Sequence, residues 1–111
     1  MYIQAIYKDN KGGTTTIGNL VELDSWETAG VKLPYAYEGF DLISMNLINV
    51  NVDKGDINGP CFFVRTTSEG ASTTQYIFAY DLNTAIGVAK RYGTVVGVSQ
   101  TSLTFKQEGP V

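Results

Sequence analysis

The sequence contains no histidine and one cysteine, Cys61, among its 111 residues. Histidine is the usual proton-transfer group near neutral pH, and thiolate metal clusters need several cysteines. These absences exclude Ser–His and Cys–His catalytic pairs and histidine- or thiolate-based zinc sites. A lone cysteine also cannot form an intrachain disulfide. Carboxylate-pair chemistry is the one enzymatic alternative that the eleven acidic residues leave open. No acid, base or nucleophile is singled out by its neighbours, so we predict no enzymatic activity and no cofactor.

Charge is scarce as well. Charged residues make up 17% of the chain, against about 25% in typical soluble proteins, and the net charge is −3. The eight basic residues are scattered, so the sequence offers no basic patch for phosphate backbones, and we predict no nucleic-acid binding. Apolar runs fall short of the roughly 20 residues that span a bilayer. The first residues lack the features of a signal peptide, so we expect synthesis in the cytoplasm and no membrane partner.

What the chain does have is an ordinary apolar fraction of 43% and the length of one folding unit. We therefore predict a single domain over residues 1–111. The last residues, from about 107 to 111, are polar or turn-forming and are predicted to form a flexible C-terminal tail.

The clearest local pattern is "YIFAYDLNTAIGVAKRYGTVVGV", which predicts a strand, a helix and a second strand. Asp81 stands where an N-cap is expected, and apolar residues recur at helical spacing through 82–92. Gly93 follows as a residue just beyond the helix end. The internal Gly87 lowers helix propensity, which favours close packing of the helix on a sheet at that point.

Several other segments have the composition and period of strands. "CFFVRTT" and "TTQYIFAY", separated by a glycine-containing turn, predict a β-hairpin. Together the patterns predict an α+β chain with a mostly antiparallel sheet of about six to seven strands and a single α-helix near residues 82–92. A sandwich-like or barrel-like arrangement of these strands is compatible with the pattern.

The segment "DLISMNLINVNVD" alternates twice, with opposite phases. Ile43, Met45 and Leu47 form one apolar set, and Ile48, Val50 and Val52 form the other. A single regular strand cannot bury both sets on one face. The sequence therefore predicts a bulge or corner near Leu47 and Ile48, or else a strand that passes between two environments and buries a different face in each.

The turn that follows, "DKGDINGP", places Asp53 and Asp56 among glycine and asparagine. Oxygen ligands on a flexible backbone are what calcium prefers, but the spacing does not match an EF-hand loop. Asp, Asn and Gly are also ordinary turn formers, and we favour that interpretation over a cation site.

Residues 24–40, "DSWETAGVKLPYAYEGF", fit neither period, although "DSWETA" could form one helical turn. The aromatic residues here have two interpretations, a core contribution and a protein-contact surface. Proline restricts the local backbone, and tyrosine combines ring area with a hydroxyl that can hydrogen-bond. We predict an irregular protein-interface segment formed by four residues: Leu33, Pro34, Tyr35 and Tyr37.

A small acidic chain with a polar, uncharged surface and no reactive centre suits a structural role. The leading hypothesis is a non-enzymatic subunit of a large homo-oligomeric assembly, with a bacteriophage head or tail protein as the favoured kind. Its partners would be copies of itself and other subunits of the assembly. The protein would be incorporated into the virion. The alternative is a small soluble binding module or an inhibitor of a host protein.

Overall fold

The computed structural model describes residues 1–107. Of the predicted tail at 107–111, only the backbone of Gln107 is described, as the end of a strand, and the remainder lies outside the described residues. The chain divides into two compact units, one built from Met1–Asn49 and the segment from Phe105 onward, the other from Val50–Thr104. This division does not test the predicted single domain, which stays a prediction.

Within residues 1–107 there are eight strands, two α-helices and one short 3-10 helix. The strands are β1 (Tyr2–Asp9), β2 (Thr16–Glu22), β3 (Phe40–Ile48), β4 (Asn51–Asp53), β5 (Cys61–Ser68), β6 (Ala71–Phe78), β7 (Thr94–Thr101) and β8 (Thr104–Gln107). The helices are α1 (Trp26–Lys32) and α2 (Leu82–Ala89), and the 3-10 helix is Leu33–Tyr35.

The strands form two four-stranded sheets, ordered β3-β1-β2-β8 and β4-β6-β5-β7. Strand β1 is antiparallel to β2 and β3, strand β5 is antiparallel to β6 and β7, and β4 runs parallel to β6. The predicted mixture of helix with mostly antiparallel sheet is confirmed. The described strands number eight instead of the predicted six to seven. They form two four-stranded sheets, which fits the sandwich-like alternative loosely, and among the described residues neither sheet closes into a barrel.

The first unit has its core on one face of the β3-β1-β2-β8 sheet. Strand β1 alternates strictly, with Ile3, Ala5 and Tyr7 fully buried and the residues between them partly exposed. This period of two is what a strand with one covered face requires. Ala29 of α1 and Leu33 of the 3-10 helix pack into the same cluster, so α1 and the 3-10 helix cover this face.

The prediction of a single α-helix is wrong, because α1 is a second one. The Ser25 hydroxyl accepts a hydrogen bond from the Thr28 amide at 3.1 Å and caps the helix N-terminus. Pro34 sits at the start of the 3-10 helix, where its missing amide costs no hydrogen bond. Gly30 and Pro34 weaken the sequence signal for a helix, and burial of one face against the sheet stabilises it nonetheless.

The two apolar phases of residues 43–52 correspond to two different strands. Strand β3 ends at Ile48 in one sheet, and β4 begins at Asn51 in the other. The chain therefore passes between the two sheets as two separate strands, and no bulge is found near Leu47 and Ile48. The expected burial of the first apolar set is not observed, because Ile43 and Leu47 are both exposed. An irregularity does occur in β3, but at Ile43, which has no partner in the β1 ladder and is 56% exposed.

The predicted hairpin is confirmed as β5 and β6, which pair from Cys61 with Phe78 to Ser68 with Ala71. Glu69 and Gly70 form the two-residue turn, with φ of 52° and 80°. Positive φ at both positions is what a type I′ hairpin turn needs. Strand β7 pairs with the other side of β5, so β6 and β7 run parallel to each other with β5 between them.

Helix α2 connects β6 to β7 and packs on the second sheet through Ala85 and Ala89. It ends at Ala89, three residues before the predicted end, and the Arg91 and Tyr92 amides then bond to the carbonyls of Val88 and Ala89 in a tight turn. The interpretation of Gly87 as a close-packing residue is wrong. It is exposed, and a Cβ added there would meet no atom within 4 Å.

Asp81 is the N-cap of α2, as predicted, and makes helix stability depend on pH. Its carboxylate accepts a hydrogen bond from the Thr84 amide at 2.8 Å, and this bond lowers the pKa of Asp81. A carboxyl whose pKa is lower in the folded chain stabilises the fold fully above its unfolded pKa, and that stabilisation is lost as the pH falls through the folded value. We expect Asp81→Ala to lower the melting temperature at pH 7, and the difference from the unsubstituted chain to shrink below about pH 3.9. Asp81→Asn is the control, because it keeps an acceptor oxygen that does not titrate. If the melting-temperature difference between Asp81→Ala and the unsubstituted chain stays the same at low pH, this account is contradicted.

Within the described part of the chain, neither α-helix has the length and apolar character needed to cross a lipid bilayer.

Candidate protein-interaction surface

The four residues predicted to form an interface have different environments. Leu33 is fully buried in the core of the first unit. Its carbonyl oxygen accepts a hydrogen bond from the Tyr7 hydroxyl at 2.8 Å, which ties the 3-10 helix to the centre of the sheet. Leu33 therefore positions the segment from inside and offers no area to a partner.

Tyr37 makes contacts within its own unit on several sides. The Asn19 side-chain amide donates a 2.6 Å hydrogen bond to its hydroxyl, and its ring meets the Tyr7 ring edge-on with 4.9 Å between centroids. The Lys106 ammonium lies 4.3 Å from the centroid of the Tyr37 ring, within cation–π range. Tyr37 thus joins β1, β2 and β8 to the segment after the 3-10 helix, which is a structural role.

Tyr35 is exposed for 86% of its surface. Val31 lies four residues earlier, about one helical turn away, and is 71% exposed, while Trp26 at the start of α1 is 42% exposed. Pro34 is half-buried between them. These four residues, Trp26, Val31, Pro34 and Tyr35, are called the α1 patch below. Sequence reasoning missed Val31, whose four-residue spacing from Tyr35 becomes a signal only once α1 is recognised.

The backbone that carries the α1 patch is anchored to the rest of the first unit. Few charged side chains lie near it in sequence. Ser25 caps α1, and the buried Ala29 and Leu33 anchor α1 and the 3-10 helix in the core. Within α1 the only charged residues are Glu27 and Lys32, one of each sign. Apolar and aromatic side chains with a sparse polar rim are typical of protein–protein contacts.

The second unit has a separate concave surface. It is an open groove of about 930 Å³ beside the C-terminal end of α2 and the β5–β6 hairpin, lined by Thr67, Ser68, Glu69, Ile86, Lys90, Gly93, Thr94 and Val95. Its lining combines apolar side chains with hydroxyls and one charge of each sign. This composition selects no particular ligand chemistry.

The turn with Asp53 and Asp56 is held by its own hydrogen bonds. The Asp53 carboxylate accepts from the Gly55 amide at 3.0 Å, and the Asp56 carbonyl accepts from the Gly59 amide at 3.0 Å. These bonds support the turn-forming interpretation. Within residues 1–107, the fold groups no three acidic or cysteine side chains as a cation site would require.

Cys61 is fully buried at the start of β5, facing away from the α2 side of the sheet together with Phe78. Burial raises the pKa of its thiol, and a hydrogen bond with Thr101 opposes that shift. A buried thiol with a raised pKa has little thiolate at neutral pH and behaves as a small apolar residue.

The α1 patch is thus the most prominent exposed apolar feature on a helix in the described chain. Comparison of the sequence with protein-family models and with curated proteins, and of the structure with solved structures, gave no match.

Proposed function

We propose that the chain is a non-enzymatic structural subunit that associates with copies of itself in a large assembly, a bacteriophage head or tail being the favoured setting. The observation that carries the proposal is the α1 patch. Single exposed apolar residues are common on protein surfaces, but three of them, Trp26, Val31 and Tyr35, within the ten residues of α1 and the 3-10 helix favour a contact site. A second copy of the chain is the occupant that this proposal commits to.

The physical basis is a low entropic cost of docking. Tyr35 and Trp26 each have two side-chain torsions, and Pro34 has a restricted backbone. The backbone beneath them is fixed by the Ser25 cap and by the buried Leu33. Little conformational freedom is therefore lost on binding, and most of the ring area that becomes buried contributes to affinity.

The proposal is tested with a Val31→Ala and Tyr35→Ala double variant. Truncation of a tyrosine at an interface hot spot often costs more than about 2 kcal/mol, so we expect at least a thirtyfold weaker self-association. Tyr80→Ala is the matched control, because Tyr80 is 78% exposed and belongs to the second unit. Sedimentation velocity over a concentration series measures the effect.

Two outcomes decide between the hypotheses. A native chain that stays monomeric at all concentrations, and is missing from particles imaged by electron microscopy, contradicts the assembly proposal. The alternative of a binding module gains support if the monomer captures one unrelated protein and the double variant fails to capture it.

A further inference from the structure

The two sheets present four edge strands within the described residues: β3, β8, β4 and β7. An edge strand has one row of backbone amides and carbonyls that no neighbouring strand uses, and natural proteins protect such edges with charges, prolines, bulges or short length. In β7 a bulge interrupts the strand only at Val96, and the segment beyond it, 97–101, is regular. Strand β4 has three residues, β8 has four with Lys106 among them, and β3 carries Asp41. These three edges have such protection.

Strand β7 is different. Its eight residues, "TVVGVSQT", include no charged residue and no proline. A register shift leaves Val96 without a partner in β5, and residues 97–101 then pair regularly with the segment 61–65. Gly97 is exposed, and a Cβ at that position would meet no atom within 4 Å, so nothing among the described residues packs on the sheet face at that point.

We propose that the edge of β7 pairs antiparallel with β7 of a second copy, so that the two β4-β6-β5-β7 sheets continue across a two-fold axis. Main-chain hydrogen bonds along residues 97–101 would supply the affinity, as in other strand-addition complexes. In such a contact residue i of one strand faces residue j of the other and j faces i, and only the residue at the two-fold axis faces its own copy, so like charges near the axis would oppose pairing. The edge of β7 has no charged residue and so avoids this repulsion. An edge suited to a charged partner would instead carry charges of the opposite sign to that partner.

This inference rests on the self-association proposed above and adds a second contact to it. A two-fold contact between identical strands closes on itself and yields only a dimer. Growth beyond a dimer needs another, different surface, and the α1 patch lies on the other compact unit. With both contacts the dimers can join into a larger assembly, whereas the β7 contact alone stops at a dimer.

The edge is tested with a Ser99→Lys and Gln100→Lys double variant. Both residues are exposed and lie within the segment proposed to pair. In a contact centred on residue 99 the two lysines at 99 face each other, and in one centred on residue 100 the two lysines at 100 do. Like charges opposite each other destabilise strand pairing, and we expect about a tenfold or greater loss of the β7 contact. Thr14→Lys with Thr15→Lys is the charge-matched control, since both threonines are exposed in the turn between β1 and β2.

Sedimentation velocity then separates the two contacts. The α1 patch variant should stop at dimers held through β7, the β7 variant should lose those dimers, and the two variants combined should be monomeric. A native chain that is monomeric overturns both proposals. A native oligomer whose mass is unchanged by the lysines on β7 overturns the edge pairing and leaves the proposed function standing.

Amide hydrogen exchange of the native chain gives a measurement that needs no substitution. Exchange at alternate amides of residues 97–101 should slow as concentration rises and oligomers form. Slowing that appears in β3 instead, or rates in β7 that do not depend on concentration, would place the contact elsewhere and overturn the inference.

Discussion

Tyr37→Ala is expected to destabilise the first unit by about 2–4 kcal/mol, a large fraction of the roughly 5–15 kcal/mol that stabilises an ordinary domain. The substitution removes the ring that packs edge-on against Tyr7 and the acceptor for the Asn19 amide. It also removes the face beneath the Lys106 ammonium. Urea denaturation followed by circular dichroism measures the loss.

Two companion variants separate the causes of that effect. Tyr37→Phe keeps the ring and loses only the hydroxyl, so it should cost about 1 kcal/mol. Tyr35→Ala, two residues away, should change the free energy of unfolding by less than about 0.5 kcal/mol, because its side chain is 86% exposed. Equal effects of Tyr35→Ala and Tyr37→Ala on stability would refute the different roles assigned to the two tyrosines.

Gly93→Ala is expected to destabilise the second unit by roughly 2–6 kcal/mol, the sum of backbone strain and overpacking. Gly93 has a φ of +148°, a conformation that residues with a Cβ rarely adopt. A Cβ there would also collide with the carbonyl oxygen of Thr67, a backbone atom of β5 that cannot move without disturbing the ladder. The loss should appear as a lower denaturation midpoint.

Gly87→Ala is the control for Gly93→Ala and should have the opposite sign. Gly87 lies inside α2 with open space around it, so alanine should stabilise the helix by about 0.5–1 kcal/mol. If both alanines destabilise the chain to the same degree, the close approach of Gly93 to β5 is not the cause.

Elements with strong local signals were predictable from the sequence. The Asp81 cap identified α2, and the glycine-containing turn between two alternating runs identified the β5–β6 hairpin. Helix α1 was missed because its stability comes from burying Ala29 and Leu33 against β1 rather than from its own propensity. Tertiary packing of this kind leaves little trace in a local window.

The candidate site was likewise only partly predictable from the sequence. Composition and the Pro34–Tyr35 pair drew attention to the right segment, but sequence alone could not say which tyrosine turns inward. That choice depends on Asn19, Tyr7 and Lys106, which are distant in sequence and meet at Tyr37 only through the sheet order. The change of phase near Leu47 coincides with the passage from one sheet to the other, but the burial from which it was argued is not observed, since Ile43 and Leu47 are exposed.

The order of strands in the first sheet has a consequence for synthesis on the ribosome. Strand β2 lies next to β8, the last described strand, and the whole of the second unit separates them in sequence. A growing chain therefore emerges with β1, β2 and β3 long before β8, the second neighbour of β2, is made. The second unit is contiguous in sequence, so its strand pairings need no later segment. We expect the unit encoded second to complete its sheet first, with the β2 edge exposed until translation has passed β8.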